Sequence, residues 1–457
     1  MKIILLILAG VALLNTDVLL SGCGQILAPT GGPRDSLPPK LMSAVPPNQS
    51  VNFRGNRITL NFDEYVTLDQ LRENLLVSPS PKNDPYIDSK LRSIIIKLRD
   101  TLEANTTYTI NLGNSIHDLN EGNVLRNFSY TFSTGTTIDS LDFSGKVLIA
   151  ETGVIDSTLL VMLYSKTEDS AVMLFKPKYI TRLSRDGSFT FHNLSAASYR
   201  VYALKDVDGS RTYNKPTELF AFGDSPVVVN SNTDQVTLYA YAEEKEKGST
   251  TRGTPDSKLR YSTKIGVENQ DILTGIDIEF NRPLKSYDKN QLTLLDSAGK
   301  PLPRVTLKMD TSNKKLTLSN DWVPGRAYKL VVGKDLGIDT GGLTLQKNDT
   351  LSFNTKKLSE YGSLKVKIKN VKADDHPVLQ LFSNNILVSS HAITGNEWFA
   401  PSVLAGEYEI RILFDKNKNG TWDPGNFVSK RQPEKVFSVP KRESVRANWD
   451  NEIEIVL

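Results

Sequence analysis

The residues best spaced for chemistry lie in the run DKNKNGTWD, Asp415 to Asp423. Asp415, Asn417 and Asn419 occupy alternate positions, Gly420 follows where a sharp turn is needed, and Asp423 comes three residues later. Alternating oxygen donors around a glycine turn are what a twelve-residue calcium loop requires, because they converge on one hard cation. The twelfth position, where a bidentate glutamate belongs, is Asn426, so only two carboxylates remain. Calcium held by Asp415, Asn417, Asn419 and Asp423 would therefore be weakly bound and structural. The commoner use of such a run is a polar hairpin turn in which Asp and Asn bond their own backbone. An earlier copy, DVDGSRTYN, keeps Asp206, Asp208 and Asn214 but places Arg211 where the glycine should stand. A bulky cation at that turn argues against a metal ion there.

Other chemistries find less support. His117, His192, His376 and His391 have no metal-ligand spacing, and no G-x-S-x-G elbow supplies a nucleophile beside His117-Asp118. Asp63-Glu64 and Asp374-Asp375 are sequence neighbours, which on a strand point to opposite faces and form no general-acid/base pair by themselves. No enzyme is expected. Trp322, Trp398, Trp422 and Trp449 all fall in the second half. Trp398 and Trp449 read as core strand residues, Trp322 as packing under a turn beside Pro324, and Trp422 as the apolar anchor of its own turn.

The single cysteine, Cys23, excludes internal disulfides and cysteine metal clusters. It follows Lys2, the apolar run Ile3 to Leu14 and the small residues Ser21-Gly22, the order of an export signal. Leu20-Ser21-Gly22-Cys23 resembles the bacterial lipobox. That resemblance implies a diacylglyceryl group on the Cys23 thiol, cleavage before it, and acylation (palmitate, for example) of the new amine. Two or three chains hold a protein on a membrane where one holds it only marginally. Residues 23–37 form a Pro/Gly-rich tether, and 15 residues of it would reach roughly 45 Å if extended. The run CGQILAPTGGPRDSLPPKL resembles the mature start of a group of Bacteroidetes lipoproteins that carry Ig-like domains.

The elements that must position these residues are strands. Arg57–Val66, Thr107–Gly113, Phe128–Thr134 and Tyr199–Asp206 alternate apolar and polar residues between Gly, Asn, Asp and Pro, whereas Thr67–Leu76 could give a turn or two of helix. The chain also repeats itself. Ile58–Leu71 matches Ile276–Lys289, and Leu98–Gly122 matches Leu318–Gly342. This module resembles the bacterial Ig-like domain of surface-layer proteins, with Phe62-Asp63 and Asp118–Gly122 fitting its motifs and Phe280-Asn281 and Asp335–Gly342 fitting more loosely. A second module, Gly187–Asn214 matching Asn396–Asp423, resembles the prealbumin-like or carboxypeptidase-regulatory-like sandwich. Its G-x-Y motif is kept at Gly406-Glu407-Tyr408 and altered at Ala197-Ser198-Tyr199.

The expected fold is all-β, with four tandem β-sandwich domains in an A–B–A–B arrangement after a signal peptide. The expected boundaries are 1–22 signal, 23–37 tether, 38–136 Ig-like, 137–242 prealbumin-like, 243–258 charged linker, 259–357 Ig-like and 358–457 prealbumin-like. Charge is balanced at 55 basic against 52 acidic side chains, which gives no nucleic-acid footprint. Asp followed by Ser or Thr and an aliphatic residue or alanine recurs at Asp35, Asp100, Asp139, Asp169, Asp296 and Asp349, resembling the O-glycosylation acceptor of exported Bacteroidetes proteins.

The expected function is non-catalytic. An outer-membrane lipoprotein, anchored through Cys23, would act as a scaffold or binding subunit with a protein partner, for instance as accessory to an outer-membrane protein complex. The alternative is a glycan-binding surface lipoprotein of a polysaccharide uptake system. In the lipoprotein family the chain resembles, an acidic cluster just after the acylated cysteine directs export to the cell surface; Gly24-Gln25-Ile26-Leu27 lacks one, so the resemblance implies the periplasmic face rather than the cell surface.

Overall fold

Strand alternation sets the cores directly. In Arg57–Phe62 the side chains of Ile58, Leu60 and Phe62 are buried and the intervening ones turn outwards; Ile276–Phe280 does the same with Ile276, Ile278 and Phe280. The computed structural model describes residues 34–166, 168–231, 233–244, 257–265 and 268–457. Cys23, the leader, most of the tether and most of the 243–258 linker lie outside those residues. Helix among the described residues is confined to single turns such as Leu71–Asn74 and Ala171–Leu174, and none is long and apolar enough to cross a membrane. The fold is all-β.

The chain forms two compact units, residues 1–139 and 140–457. In the first, a four-stranded sheet runs in the order Leu41–Val45, Arg57–Phe62, Ser93–Lys97, Tyr86–Lys90. A three-stranded sheet of Phe128–Ser133, Thr107–Gly113 and Leu76–Ser78 shares its core, which includes Ile58, Leu60, Ile94, Ile96, Ile110 and Phe132.

The second unit holds three sandwiches. The central one repeats the plan of the first unit: Tyr261–Ser262, Ile276–Phe280, Lys315–Ser319 and Thr306–Met309 form one sheet, and Leu292–Asp296, Ala327–Val332 and Asp349–Asn354 form the other. The outer two follow a different plan. In each, the first strand pairs parallel with the last, Leu141–Ile149 with Val236–Ala240 and Tyr361–Lys369 with Asp450–Val456. Each opposing sheet is built on a long strand, Ala197–Leu204 or Gly406–Phe414, which carries two short partners in succession.

Recurrent polar clamps mark the two plans. Glu103 N donates to the Tyr108 hydroxyl at 2.8 Å and Val323 N to that of Tyr328 at 3.2 Å. In the other plan the hydroxyls of Tyr199 and Tyr408 donate to the carbonyls four residues upstream, Ser195 at 3.0 Å and Leu404 at 2.7 Å. The altered motif at Ala197-Ser198-Tyr199 therefore keeps the tyrosine in its role, since the bond needs the ring and not the glycine.

Candidate functional site

The strand Gly406–Phe414 ends directly on Asp415, which is 2% exposed. Its Oδ1 accepts from Asn419 N at 3.2 Å and its Oδ2 from Gly420 N at 2.7 Å. The side-chain amides of Asn417 and Asn419 both donate to Asp423 Oδ2, at 2.7 and 2.6 Å. The four expected residues thus converge on one loop. Asn426 does not join them, because its amide donates to Glu243 at 3.0 Å. A carboxylate that spacing did not indicate takes part instead. Glu434, 5% exposed and just ahead of the strand Lys435–Ser438, accepts from Lys416 N at 2.8 Å and Asp423 N at 3.1 Å. Burial, aided by Asp415 and opposed by these N–H donors, holds its pKa above the ordinary carboxylate range. Its sequence signal is an acidic residue placed directly before an apolar strand. Trp422 closes the loop as a local anchor: its indole N–H donates to the Glu434 carbonyl at 2.8 Å, and its ring packs on Val378, Leu413 and Val436.

The earlier loop, Asp206 to Asn214, has the same backbone. Its fourth and sixth residues, Gly209 and Arg211, have φ of 75° and 58°, matching Lys418 at 61° and Gly420 at 79°. Glycine and a long side chain have exchanged places. Arg211 N donates to Asp206 Oδ2 at 3.2 Å, as Gly420 N does to Asp415. Left-handed backbone costs an arginine something, but the turn imposes it on Arg211. Glu218 occupies the place of Glu434.

A third acidic group lies in the first unit, where one carboxylate oxygen from each of Glu64, Asp118 and Glu121 falls within 4.8 Å of the others. Asp118 is 1% exposed and accepts from the backbone N–H groups of Glu121, Gly122 and Asn123. Its counterpart in the repeated module, Asp339, accepts from Gly341 N and Leu343 N and pairs with Arg282 at 2.9 Å. Both aspartates anchor a turn; only the second has a guanidinium beside it.

The remaining candidates do not assemble into a reactive centre. His117 Nε2 lies 3.0 Å from the Asn114 carbonyl, His192 pairs with Asp142 on the surface, and His391 stacks on Trp398 at 4.8 Å. Asp374-Asp375 form a 3-10 turn and not a strand. Trp322 is buried against Tyr328 and Phe353, as expected. Trp449 is not: it is 60% exposed in the turn before the last strand, with Arg446 over its ring. Ile453 and Ile455 of that strand already fill the core side, so the indole is left outside.

One contact had no sequence signal. Phe427, 3% exposed, leaves the loop after Asp423 and enters an aromatic socket of Tyr202, Tyr213, Phe220 and Phe222 in the first sandwich of the unit. Gln432 donates to the Phe222 carbonyl at 3.0 Å and to Asp224 at 2.7 Å, and Lys430 pairs with Asp169 at 2.9 Å. The first and last sandwiches of the unit are joined by this plug.

Residues 35–134 match the bacterial Ig-like domain family (Big_5). No curated protein matches the chain. Among solved structures, native alpha-2-macroglobulin of Escherichia coli, spanning domains MG0-NIE-MG1, is 14% identical over 40% of this chain and 72% of that one, with a TM-score of 0.21. The major pilin subunit BcpA of Bacillus cereus is 11% identical over 69% and 99%, with a TM-score of 0.16. The S-layer protein SbsC is 13% identical over 90% and 54%, also with a TM-score of 0.16. Scores this low establish no shared arrangement, and nothing about activity or partners follows from them. What the first unit carries, by direct match, is a bacterial Ig-like domain.

Proposed function

We propose that this chain is a non-catalytic cell-envelope lipoprotein, anchored at the outer membrane through Cys23, that serves as a scaffold or binding subunit for a protein partner. The observation that carries this reading is the sequence Leu20-Ser21-Gly22-Cys23, followed by a Pro/Gly-rich tether and then by rigid all-β modules. An acyl anchor, a spacer and stiff sandwiches present loops and strand edges at a set height above a membrane. The described polar clusters support a structural use of their charges, since Asp118, Asp339 and Asp415 are engaged by backbone N–H groups of their own turns. Any calcium held by Asp415, Asn417, Asn419 and Asp423 would belong to that structural class, with Glu434 adding charge behind the loop. The glycan-binding alternative loses its best aromatic, because Trp422 is engaged edge and face within its own module.

Fractionation of cells that express the natural chain or a Cys23→Ala form tests the anchor. The natural chain should sediment with outer membranes and the variant should appear in the soluble fraction. Equal sedimentation of both would remove the lipid anchor from the account.

A further inference from the structure

We propose that the outer face of the four-stranded sheet in the first unit is a docking surface for an anionic phospholipid bilayer, centred on the hairpin tip Leu91-Arg92. A hollow of about 460 Å³ lies on that face, lined by Arg57, Tyr65, Lys90, Leu91, Arg92 and Ile95 among others, with no acid in its wall. Arg57, Lys90 and Arg92 are exposed, and none of them enters an ion pair among the described residues. The guanidinium of Arg92 lies over the Tyr65 ring at 5.2 Å, and Lys97, farther along the same face, lies over Tyr86 at 5.8 Å. The acids next in sequence to Tyr65 have other partners: Asp63 accepts from Lys40 N at 2.8 Å, and Glu64 lies with Asp118 and Glu121. Cations without counter-ions beside tyrosine are the composition that meets phosphate headgroups at a membrane interface. The repeated module lacks it. There Gly275 stands at the position of Arg57, and Asp277 pairs with Lys315 across the same face at 3.4 Å. The uncompensated charge therefore belongs to the first unit and not to the fold.

The tip is built against the preference of the backbone. Lys90 pairs with Ser93, so Leu91 and Arg92 are the two residues of a tight connection, and Leu91 has φ of 57°. Such a position favours glycine or asparagine. The leucine gains little from burial there, since it is 67% exposed. Its backbone is pinned: Val66 N donates to the Leu91 carbonyl at 3.0 Å and Phe62 N to that of Arg92 at 2.8 Å. A fixed, outward leucine between Lys90 and Arg92 can enter the acyl boundary while its neighbours stay at the phosphates.

The tether joins the sheet at the end that carries this tip. Asp63 N donates to the Lys40 carbonyl at 3.1 Å, directly after the Phe62 that holds Arg92. That headgroups lie within reach of this end rests on the anchor proposed at Cys23. A few cations hold a protein on a membrane only reversibly, so the face orients an anchored chain and does not replace the anchor.

Co-sedimentation of residues 24–457 with vesicles tests the face apart from the anchor, because that chain lacks the leader and Cys23 and keeps every described residue. The vesicles are phosphatidylglycerol mixed with phosphatidylcholine, or phosphatidylcholine alone, at low salt. The chain should sediment with the anionic vesicles and not with the neutral ones. Arg57→Gln and Arg92→Gln should each weaken that binding about fivefold. Leu91→Asn should weaken it too, without lowering the unfolding temperature, because asparagine suits left-handed backbone. Equal binding to both kinds of vesicle, or unchanged binding by Arg92→Gln, would overturn the proposal. No binding to the anionic vesicles would overturn it as well and leave the face to an acidic protein partner. Displacement by inorganic phosphate together with full binding by Leu91→Asn would also overturn it, marking a site for a soluble phosphate group.

Discussion

Glu64 stands at the position that Arg282 occupies in the repeated module, and the exchange changes the sign of the charge beside a buried aspartate. Burial first, then Asp118, Asp63, Asp35 and Glu121, hold the Glu64 carboxyl above its ordinary range. For Asp118 the N–H groups of Glu121, Asn123 and Gly122 overcome burial and hold it below. A carboxyl whose folded pKa is raised contributes stability below its unfolded value and loses it as pH rises through the folded value; a lowered one contributes above its unfolded value and loses it as pH falls. Glu64→Gln should slow hydrogen exchange of the Glu121–Asn123 amides at pH 7, and the gain should be smaller at pH 4, since a raised carboxyl takes up its proton early as pH falls. No difference between the two pH values would show that Glu64 does not feel its neighbours. In the repeated module, Arg282→Ala leaves Asp339 buried without its cation and should cost about 2 kcal/mol, reduced from a fully buried pair because Arg282 is a third exposed. Trp322, in that module's core, gives the fluorescence signal to follow.

At the scale of elements, the two tyrosine clamps are the most general devices in the fold. Tyr408→Phe removes the bond to the Leu404 carbonyl and should lower stability by about 1 kcal/mol, read from the denaturant midpoint. Tyr199→Phe should cost the same order, since Tyr199 keeps the bond although its motif lacks the glycine. Strands such as Arg57–Phe62 and Ile276–Phe280 were plain in the sequence, because they bury every second residue, and the two plans were plain because Ile58–Leu71 repeats at Ile276–Lys289 and Gly187–Asn214 at Asn396–Asp423. Glu434 and Glu218 were not. Each reaches its loop from the start of another strand, so the distance that matters is set by pairing and not by spacing along the chain. The left-handed backbone of Arg211 was not legible either, since it is forced by the turn and not by residue type. Trp449 misled because strand and turn differ there by a single position.

At the scale of the molecule, Phe427 joins sandwiches whose participating residues lie about two hundred positions apart in sequence. Nothing in GNFVSK distinguishes a plug from an ordinary loop until its socket exists. Phe427→Ala should cost about 3–5 kcal/mol and open the 424–434 segment to limited proteolysis. Unchanged cleavage would show that the polar contacts of Gln432 and Lys430 suffice. A plugged second unit suits the proposed scaffold role. The most direct measurement of that role is a pull-down of the lipid-anchored chain from gently solubilised envelopes, with Cys23→Ala as control. The account predicts co-purification of a defined outer-membrane protein complex that is lost in the control; recovery of the natural chain alone, with no stoichiometric partner, would contradict it.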